Sequence, residues 1–417
     1  MTASSHGTRH LAICGAYDMR NFGDLMFPVL ARERLAPHGF RLTAFAPTGS
    51  DPGLGLEAPR PIAELFTSDP ALDGILIGGG YIIHTQPVSR IVHLVGQDTA
   101  AGRSELVDCW AGATLWAALR GLPIAWNAPG VPFPFATGQL PAVAAVAGAA
   151  DYLSVRDQSS VSLLDPDGKL APAIVPDPIA EIARFWPRSR LAAAEAAFRT
   201  RVGLAPEAAI LALHIRDRSL SGYGADKLGQ RISEFAIAHK LVPVLLALGQ
   251  AHDDGATARE VARHIASPHI VLEDPPSLME IAAVTAAARL YIGASLHGYI
   301  AATSYGVPAA LIARPAYGKF AGFVAHAGWP DDLCRDWDAG LVQASALLAG
   351  PPQRPLPDRI GKSLDDHWTA IATALATGTE RRAARTEFVR RYVNLGVGRR
   401  GTGWATSPLQ LGTKGTH

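Results

Sequence analysis

Short, nearly uninterrupted apolar runs recur along this chain, and the stretches between them space their apolar residues as a helix does. Leu11 to Gly15 predicts a first strand, which leads through Asn21-Phe22-Gly23-Asp24 into a helical stretch from Leu25 to Leu35. Phe40 to Ala46 predicts a second strand, and Gly74-Ile75-Leu76-Ile77 a third, stopped by Gly78-Gly79-Gly80. After a polar, less regular region come a helix (Glu105 to Arg120), a strand (Pro123 to Asn127), a helix (Ala142 to Ala150) and a strand (Tyr152 to Arg156). Ile174-Val175-Pro176-Asp177-Pro178 ends this half. Strands that are apolar throughout, alternating with helices, predict a parallel sheet covered on both faces.

A second unit of the same style follows a Pro/Arg-rich stretch at Trp186-Pro187-Arg188. Its expected elements are a helix (Leu191 to Val202), strands at Ala209 to Ile215 and Leu241 to Leu248, and a helix at Thr257 to Ile265. A strand (His269 to Leu272), a helix (Leu278 to Ala288) and a strand (Leu290 to Gly293) come next. The last of these hands over through Ala294-Ser295-Leu296-His297-Gly298 to a short helix, Tyr299 to Tyr305, closed by Gly306 ahead of the run Pro308 to Ala313. Leu364 to Tyr392 predicts one long helix bearing Arg381, Arg382, Arg385, Arg390 and Arg391, and the Gly/Thr/Ser-rich tail after Gly396 is expected to be poorly ordered. The fold expected is α/β: two doubly wound, Rossmann-like domains (1–190 and 191–350) facing a cleft, with a C-terminal helical extension (351–417).

Composition narrows the function classes. With 417 residues, 48% hydrophobic and 18% charged, the chain is globular and large enough for two cores. A net charge of +1 gives no global pull towards nucleic acid. Cys14, Cys109 and Cys334 lie far apart and form no Cys-x-x-Cys pair, which argues against a disulfide scaffold or cysteine-bound zinc and fits a reducing cytoplasm. Met1 to Arg9 is polar, and no apolar stretch reaches the roughly 18 residues of a membrane span. There is no His-Glu-x-x-His, Gly-x-Ser-x-Gly or Walker-type loop, and no metal or cofactor is expected.

The candidate chemistry lies where strands end. A strand that turns into a helix N-terminus exposes backbone N–H groups and a positive dipole end, which suits an anion, and His297 at such a turn can move protons near neutral pH. The same histidine also reads as a core residue of an ordinary strand–helix turn. Asp24 reads either as a helix N-cap or as a substrate contact, and the three glycines as a tight turn or as room for packing. Arg156 with Asp157, and Arg216-Asp217-Arg218, read either as solvated surface pairs or as cations aimed into a cleft. Lys319 has an ordinary exposed-helix reading, and His214 reads as a satisfied core or edge histidine. His252-Asp253-Asp254 offers metal ligands, but consecutive residues splay apart and a loop is favoured. The arginine-rich C-terminal helix is either a solvated face or a surface that steers anionic lipid, or a lipid diphosphate acceptor, towards the cleft.

Taken in order, these pieces resemble the polysaccharide pyruvyl transferases. Asn21-Phe22-Gly23-Asp24 is similar to the family's Asn-x-Gly-Asp element, and Ile75 to Gly80 to its strand ending in glycines. Ser154-Val155-Arg156-Asp157 with Ser159 resembles its Arg-Asp-x-x-Ser element, and Asp177-Pro178 its Asp-Pro. Ser295-Leu296-His297-Gly298, Gly306-Val307-Pro308 and Lys319 resemble its Arg-Leu-His, Gly-Val-Pro and Lys positions, with Ser295 standing where many members carry arginine. The resemblance implies a glycosyltransferase-B-like fold and transfer of a pyruvyl group from phosphoenolpyruvate to a sugar of a cell-surface polysaccharide precursor, as a ketal. It implies His297 as the catalytic residue. Donor and acceptor contacts would fall on Asn21, Gly23, Asp24, Gly79, Gly80, Arg156, Arg216, Arg218, Ser295 and Lys319. The partners implied are phosphoenolpyruvate and a sugar or lipid-linked oligosaccharide, at or near the membrane surface, with the N-terminal domain on the acceptor side and the C-terminal domain on the donor side. Two other readings stay open: a nucleotide-sugar glycosyltransferase of the same fold, and an inactive glycan-binding relative.

Overall fold

The computed structural model describes residues 8–86, 106–249 and 253–401. The N-terminal half builds a five-stranded sheet from β1 (Arg9–Cys14), β2 (Phe40–Ala46), β3 (Arg60–Pro61), β4 (Gly74–Ile77) and β5 (Ile124–Trp126). Its order is β3-β2-β1-β4-β5, and every pairing is parallel. A small parallel pair, β6 (Ser154–Val155) with β7 (Ala173–Ile174), sits beside it. The second half builds a six-stranded sheet from β8 (Ile210–His214), β9 (Val242–Leu246), β10 (Ile270–Leu272), β11 (Ala288–Gly293), β12 (Ala309–Ile312) and β13 (Leu333–Cys334). Its order is β10-β9-β8-β11-β12-β13, again parallel throughout. The expected doubly wound α/β architecture is therefore present in both halves. β4, β8 and β12 are buried along their whole length, as their all-apolar or nearly all-apolar sequences require.

Strand order reverses between β1 and β4 in the first sheet and between β8 and β11 in the second. The loops leaving neighbouring strands diverge there and open a crevice at their carboxyl ends, the usual ligand site of such sheets. The two crevices are joined by backbone. Phe22 donates its N–H to the Leu248 carbonyl at 2.8 Å, and Asn21 forms an antiparallel bridge with Gly249. One apolar core runs through the join, combining Leu25, Met26 and Phe27 of the first half with Leu278, Tyr299 and Ile300 of the second.

The C-terminal stretch differs from expectation. The single helix read from Leu364 to Tyr392 is two, Asp358–Thr377 and Arg382–Arg400, separated by a 3₁₀ turn at Gly378–Arg381. Gly378 lies against Pro123, where a Cβ would come within 2.2 Å of the proline Cβ, so the chain turns where only glycine fits. Both helices return to the first half. The Tyr152 hydroxyl donates to His367 Nδ1 at 2.9 Å, and His367 Nε2–H donates to Asn127 Oδ1 at 3.0 Å. Burial, with Arg34 nearby, pushes the His367 pKa down to about 3, which keeps the ring neutral in this relay. The arginine cluster is only partly a solvated face. Arg385 is fully buried, with Nη1 2.7 and 2.8 Å from the Asp151 carboxylate oxygens and Nη2 donating to the Gly121 carbonyl at 2.9 Å. The tail expected after Gly396 ends this helix as far as Arg400, and residues 402–417 lie outside the described residues, as do Met1 to Gly7.

Removing one partner of a buried pair strands the other. Arg385→Met should therefore destabilise the fold by about 3 kcal/mol in urea unfolding, whereas Arg390→Ala, at an exposed i,i+3 pair, should change it by less than about 0.5 kcal/mol. Equal effects of the two would show that the C-terminal helix is not anchored through Arg385.

Candidate active site

The loop after β1 sets the first wall. Asn21 is extended and its Oδ1 accepts the Gly23 N–H at 3.1 Å, so Asn21, and not Asp24, caps the helix Phe22–Leu35. Asp24 lies inside the first turn, buried, with its carboxyl at the cleft. Burial raises its pKa, opposed by the positive charges of His297, Lys319 and Arg156. Gly79 and Gly80 of the triple glycine do not line the cleft; they shape it. A Cβ on Gly79 would come within 2.1 Å of the Phe27 ring, and one on Gly80, whose φ is +90°, within 2.4 Å of Asp24 Oδ1.

The loop after β11 sets the opposite wall. The helix here is Leu296–Ser304, a turn earlier than the sequence suggested, because Ser295 is its N-cap and its Oγ accepts the Gly298 N–H at 3.2 Å. His297 thereby stands in the first turn. Its Nε2 lies 3.5 Å from Asp177 Oδ2, an ion-pair distance that forms no well-aligned hydrogen bond. Its other face rests on Gly23, where a Cβ would come within 1.6 Å of Nδ1. Gly23 is thus the seat of the histidine. Asp177 is buried, accepts the Ile179 N–H at 3.1 Å through Oδ1, and also faces Arg156 Nη1 at 3.4 Å through Oδ2. Burial alone would raise the Asp177 carboxyl; the close approach of His297, with Arg156, outweighs it and holds the pKa below the ordinary value.

Arg156 and Asp157 are not a surface pair. Arg156 is 3% exposed, stacks its guanidinium 4.1 Å over the Tyr81 ring, and leaves Nε and Nη2 without a well-formed hydrogen bond among the described residues. Asp157 caps the helix Gln158–Leu164 by accepting the Ser160 N–H at 2.7 Å. Lys319, in the first turn of the helix Gly318–Ala327, is half-buried with Nζ 4.6 Å from the same Tyr81 ring. Desolvation, then Arg156 and Arg216, bring its pKa down to about 7, against the pull of Asp24 and Asp177. Arg216 and Arg218 leave the end of β8, and Arg218 Nη1 donates to the Tyr317 hydroxyl at 3.0 Å.

These groups surround one cleft between the two sheets, enclosing about 1080 Å³ with its open mouth included. Asn21, Asp24, Arg156, Arg216, Arg218, Ser295, His297 and Lys319 all line it, while Gly23, Gly79 and Gly80 stand behind that lining. The sequence reading missed Tyr81, Phe133, Asp254 and Tyr317 as lining residues. Tyr81 follows the triple glycine directly and was within reach of a strand-end argument, whereas Phe133 sits in a loop that carries no pattern. Of His252-Asp253-Asp254, His252 lies outside the described residues and Asp254 reaches the cleft. Among the described residues, no group of three or more His, Cys, Asp or Glu is placed to hold a metal ion.

Because Gly23 is the contact surface for the imidazole, Gly23→Ala should displace His297 and lower turnover about a hundredfold while the circular dichroism spectrum stays unchanged. Wild-type turnover in that variant would show that the ring is not held there.

Comparison with known proteins bears on the fold and on the family. Among solved structures, the chain is similar to UDP-N-acetylglucosamine 2-epimerase from Rickettsia bellii, with TM-score 0.55, 11% identity, and coverage of 90% of this chain and 98% of that one. It is also similar to UDP-GlcNAc 2-epimerase from Methanocaldococcus jannaschii, with TM-score 0.51, 13% identity, and coverage of 85% and 99%. At these identities the likeness speaks for the glycosyltransferase-B-like fold and not for the substrate. No functionally curated protein gives a match. A family model described as polysaccharide pyruvyl transferase matches residues 21–315, a span that takes in the Asn21 cap, the Arg156–Asp177–His297 cluster and both crevices, and the chain belongs to that family.

Proposed function

We propose that the chain moves a pyruvyl group from phosphoenolpyruvate to two hydroxyls of a sugar in a cell-surface polysaccharide precursor, forming a cyclic ketal and releasing phosphate. The observation that carries this reading is the cation cluster. Arg156, Lys319, Arg216 and Arg218 line a single cleft, and the buried Nε and Nη2 of Arg156 have no well-formed hydrogen bond among the described residues. A donor that carries both a carboxylate and a phosphate needs such a set, joined by the N-terminus of Leu296–Ser304. The cations come from both halves, so the donor would lie across the join and not within one domain. The neutral wall of Met19, Ile82, His84, Pro132 and Phe133, all from the first half, is left for the acceptor.

The reaction adds a sugar hydroxyl oxygen to C2 of the enol phosphate while the C3 methylene gains a proton and becomes a methyl group. The second hydroxyl then attacks C2, phosphate departs with the C–O electron pair, and the remaining hydroxyl proton leaves with it or to water. In this scheme His297, oriented by Asp177 and Gly23, delivers the proton to C3 or to the departing phosphate. Asp24, whose burial makes it a stronger base than an exposed carboxylate, accepts the acceptor hydroxyl proton. Ser295 is occupied in capping its helix, so the charge on the donor falls to the arginines just past β6 and β8.

Among the described residues, no helix is long and apolar enough to cross a membrane. We place the reaction in the cytoplasm, with a lipid-linked acceptor presented from the membrane face.

Calorimetry with phosphoenolpyruvate and a panel of nucleotide sugars tests the donor. The pyruvyl reading expects phosphoenolpyruvate to bind and His297→Ala to bind it while turning over about a hundredfold more slowly. Binding of a nucleotide sugar alone would move the protein to glycosyl transfer. Lys319 adds a pH signature. Its ammonium is fully present below its pKa of about 7 and is lost as pH rises through it, while a bound anion restores it. Donor affinity should therefore fall above pH 7, binding at pH 8 should take up a proton, and Lys319→Met should abolish both effects. Proton uptake that persists in Lys319→Met would assign it to another group.

A further inference from the structure

Arg216 lines the cleft from a turn just past β8, where a long cation would be free to swing into solvent. A second buried carboxylate lies beside it. Asp254, 1% exposed, opens the helix Asp254–Ala262 and also lines the cleft. Its Oδ2 accepts the Gly249 N–H at 2.9 Å and lies 2.8 Å from His214 Nε2, while its Oδ1 faces Arg216 Nε at 3.8 Å. His214 is the last residue of β8 and fully buried, and its carbonyl accepts the Ala294 N–H at 3.0 Å, directly before the Ser295 cap. One carboxylate therefore ties the end of β8 to the loop after β9, and β8 is paired in turn with β11. His214 and Asp254, read separately as a core histidine and a loop residue, are partners. Among the described residues, Oδ2 takes the Gly249 N–H and the His214 ring, and Oδ1 is turned towards Arg216, a cation that also faces the ligand space.

We propose that Asp254 is a positioning residue, held by His214 and Gly249, which fixes the Arg216 guanidinium as the counter-charge for an anionic group of the donor. The assignment rests on the pyruvyl-transfer reading only for the identity of that anion. Because Asp254 acts through Arg216, its loss should be felt in donor binding and not in the chemical step.

The test is a double-mutant cycle in the full-length protein, with phosphoenolpyruvate, inorganic phosphate and a UDP-sugar titrated into each variant by calorimetry. Asp254→Asn and Arg216→Met should each weaken phosphoenolpyruvate binding about tenfold, and the double variant should bind no more weakly than Arg216→Met alone. For Asp254→Asn, KM should rise by the same factor while kcat stays within about threefold. His214→Gln, which keeps a donor for Asp254, should bind within about twofold of wild type, and His214→Phe should match Asp254→Asn. This pair of variants reads the same coupling should Asp254→Asn not fold. Losses that multiply in the double variant, an unchanged affinity in Asp254→Asn, or a fall in kcat at constant KM would each overturn the assignment. If wild type takes the UDP-sugar instead, the pyruvyl reading fails, and the cycle read with that ligand judges Asp254 on its own. Wild type that binds none of the three anions overturns both.

Discussion

A buried carboxylate that must not be left alone organises this site. Asp177 is 2% exposed, and a charge so placed persists only with partners. Among the described residues it has three: the Ile179 N–H, the Arg156 guanidinium and the His297 imidazole. Each comes from a different part of the chain, so satisfying one aspartate brings β6, β11 and the loop after β7 to a single point. The cations gathered in this way are themselves incompletely satisfied. Arg156 Nε and Nη2 have no well-formed hydrogen bond among the described residues, and Lys319 has lost much of its hold on its proton. A cleft lined in this way favours negative charge, and an anion there would add hydrogen bonds to these groups.

The second constraint is steric. His297 lies on Gly23, Asp24 on Gly80, the Phe27 ring on Gly79, and Ser159 Oγ would collide with any side chain at Gly318, beside Lys319. The motif glycines do not line the cleft; Gly23 lets His297 approach backbone from the opposite wall, and Gly79 and Gly80 make room for Phe27 and Asp24 on their own wall. The Phe22–Leu248 hydrogen bond and the shared apolar core hold the two crevices at that distance. Proton transfer between groups on facing walls depends on such fixed spacing.

The sheets were legible because buried parallel strands are short all-apolar runs, and Phe40–Ala46 and Gly74–Ile77 appear as read. Helix starts were less so. Asn21 and Asp24 both qualify as caps by type, and only the backbone, extended at Asn21, decides between them. Ser295 likewise looked like a substitution in a binding position, while its hydroxyl is engaged by Gly298. The break at Gly378 escaped notice because its cause, the face of Pro123, is remote in sequence. For the same reason the motif residues around the cleft could be named but their pairings could not. Nothing local to Asp177 announces His297, and nothing local to Asp254 announces His214.

The most direct measurement of this account is a crystal structure of the protein with phosphoenolpyruvate bound. The account requires its phosphate and carboxylate to take hydrogen bonds from Arg156 and Lys319, with C3 turned to His297 and the Asp177 contacts kept. Phosphoenolpyruvate seated elsewhere, or in the cleft with Arg156 and Lys319 untouched, would contradict it.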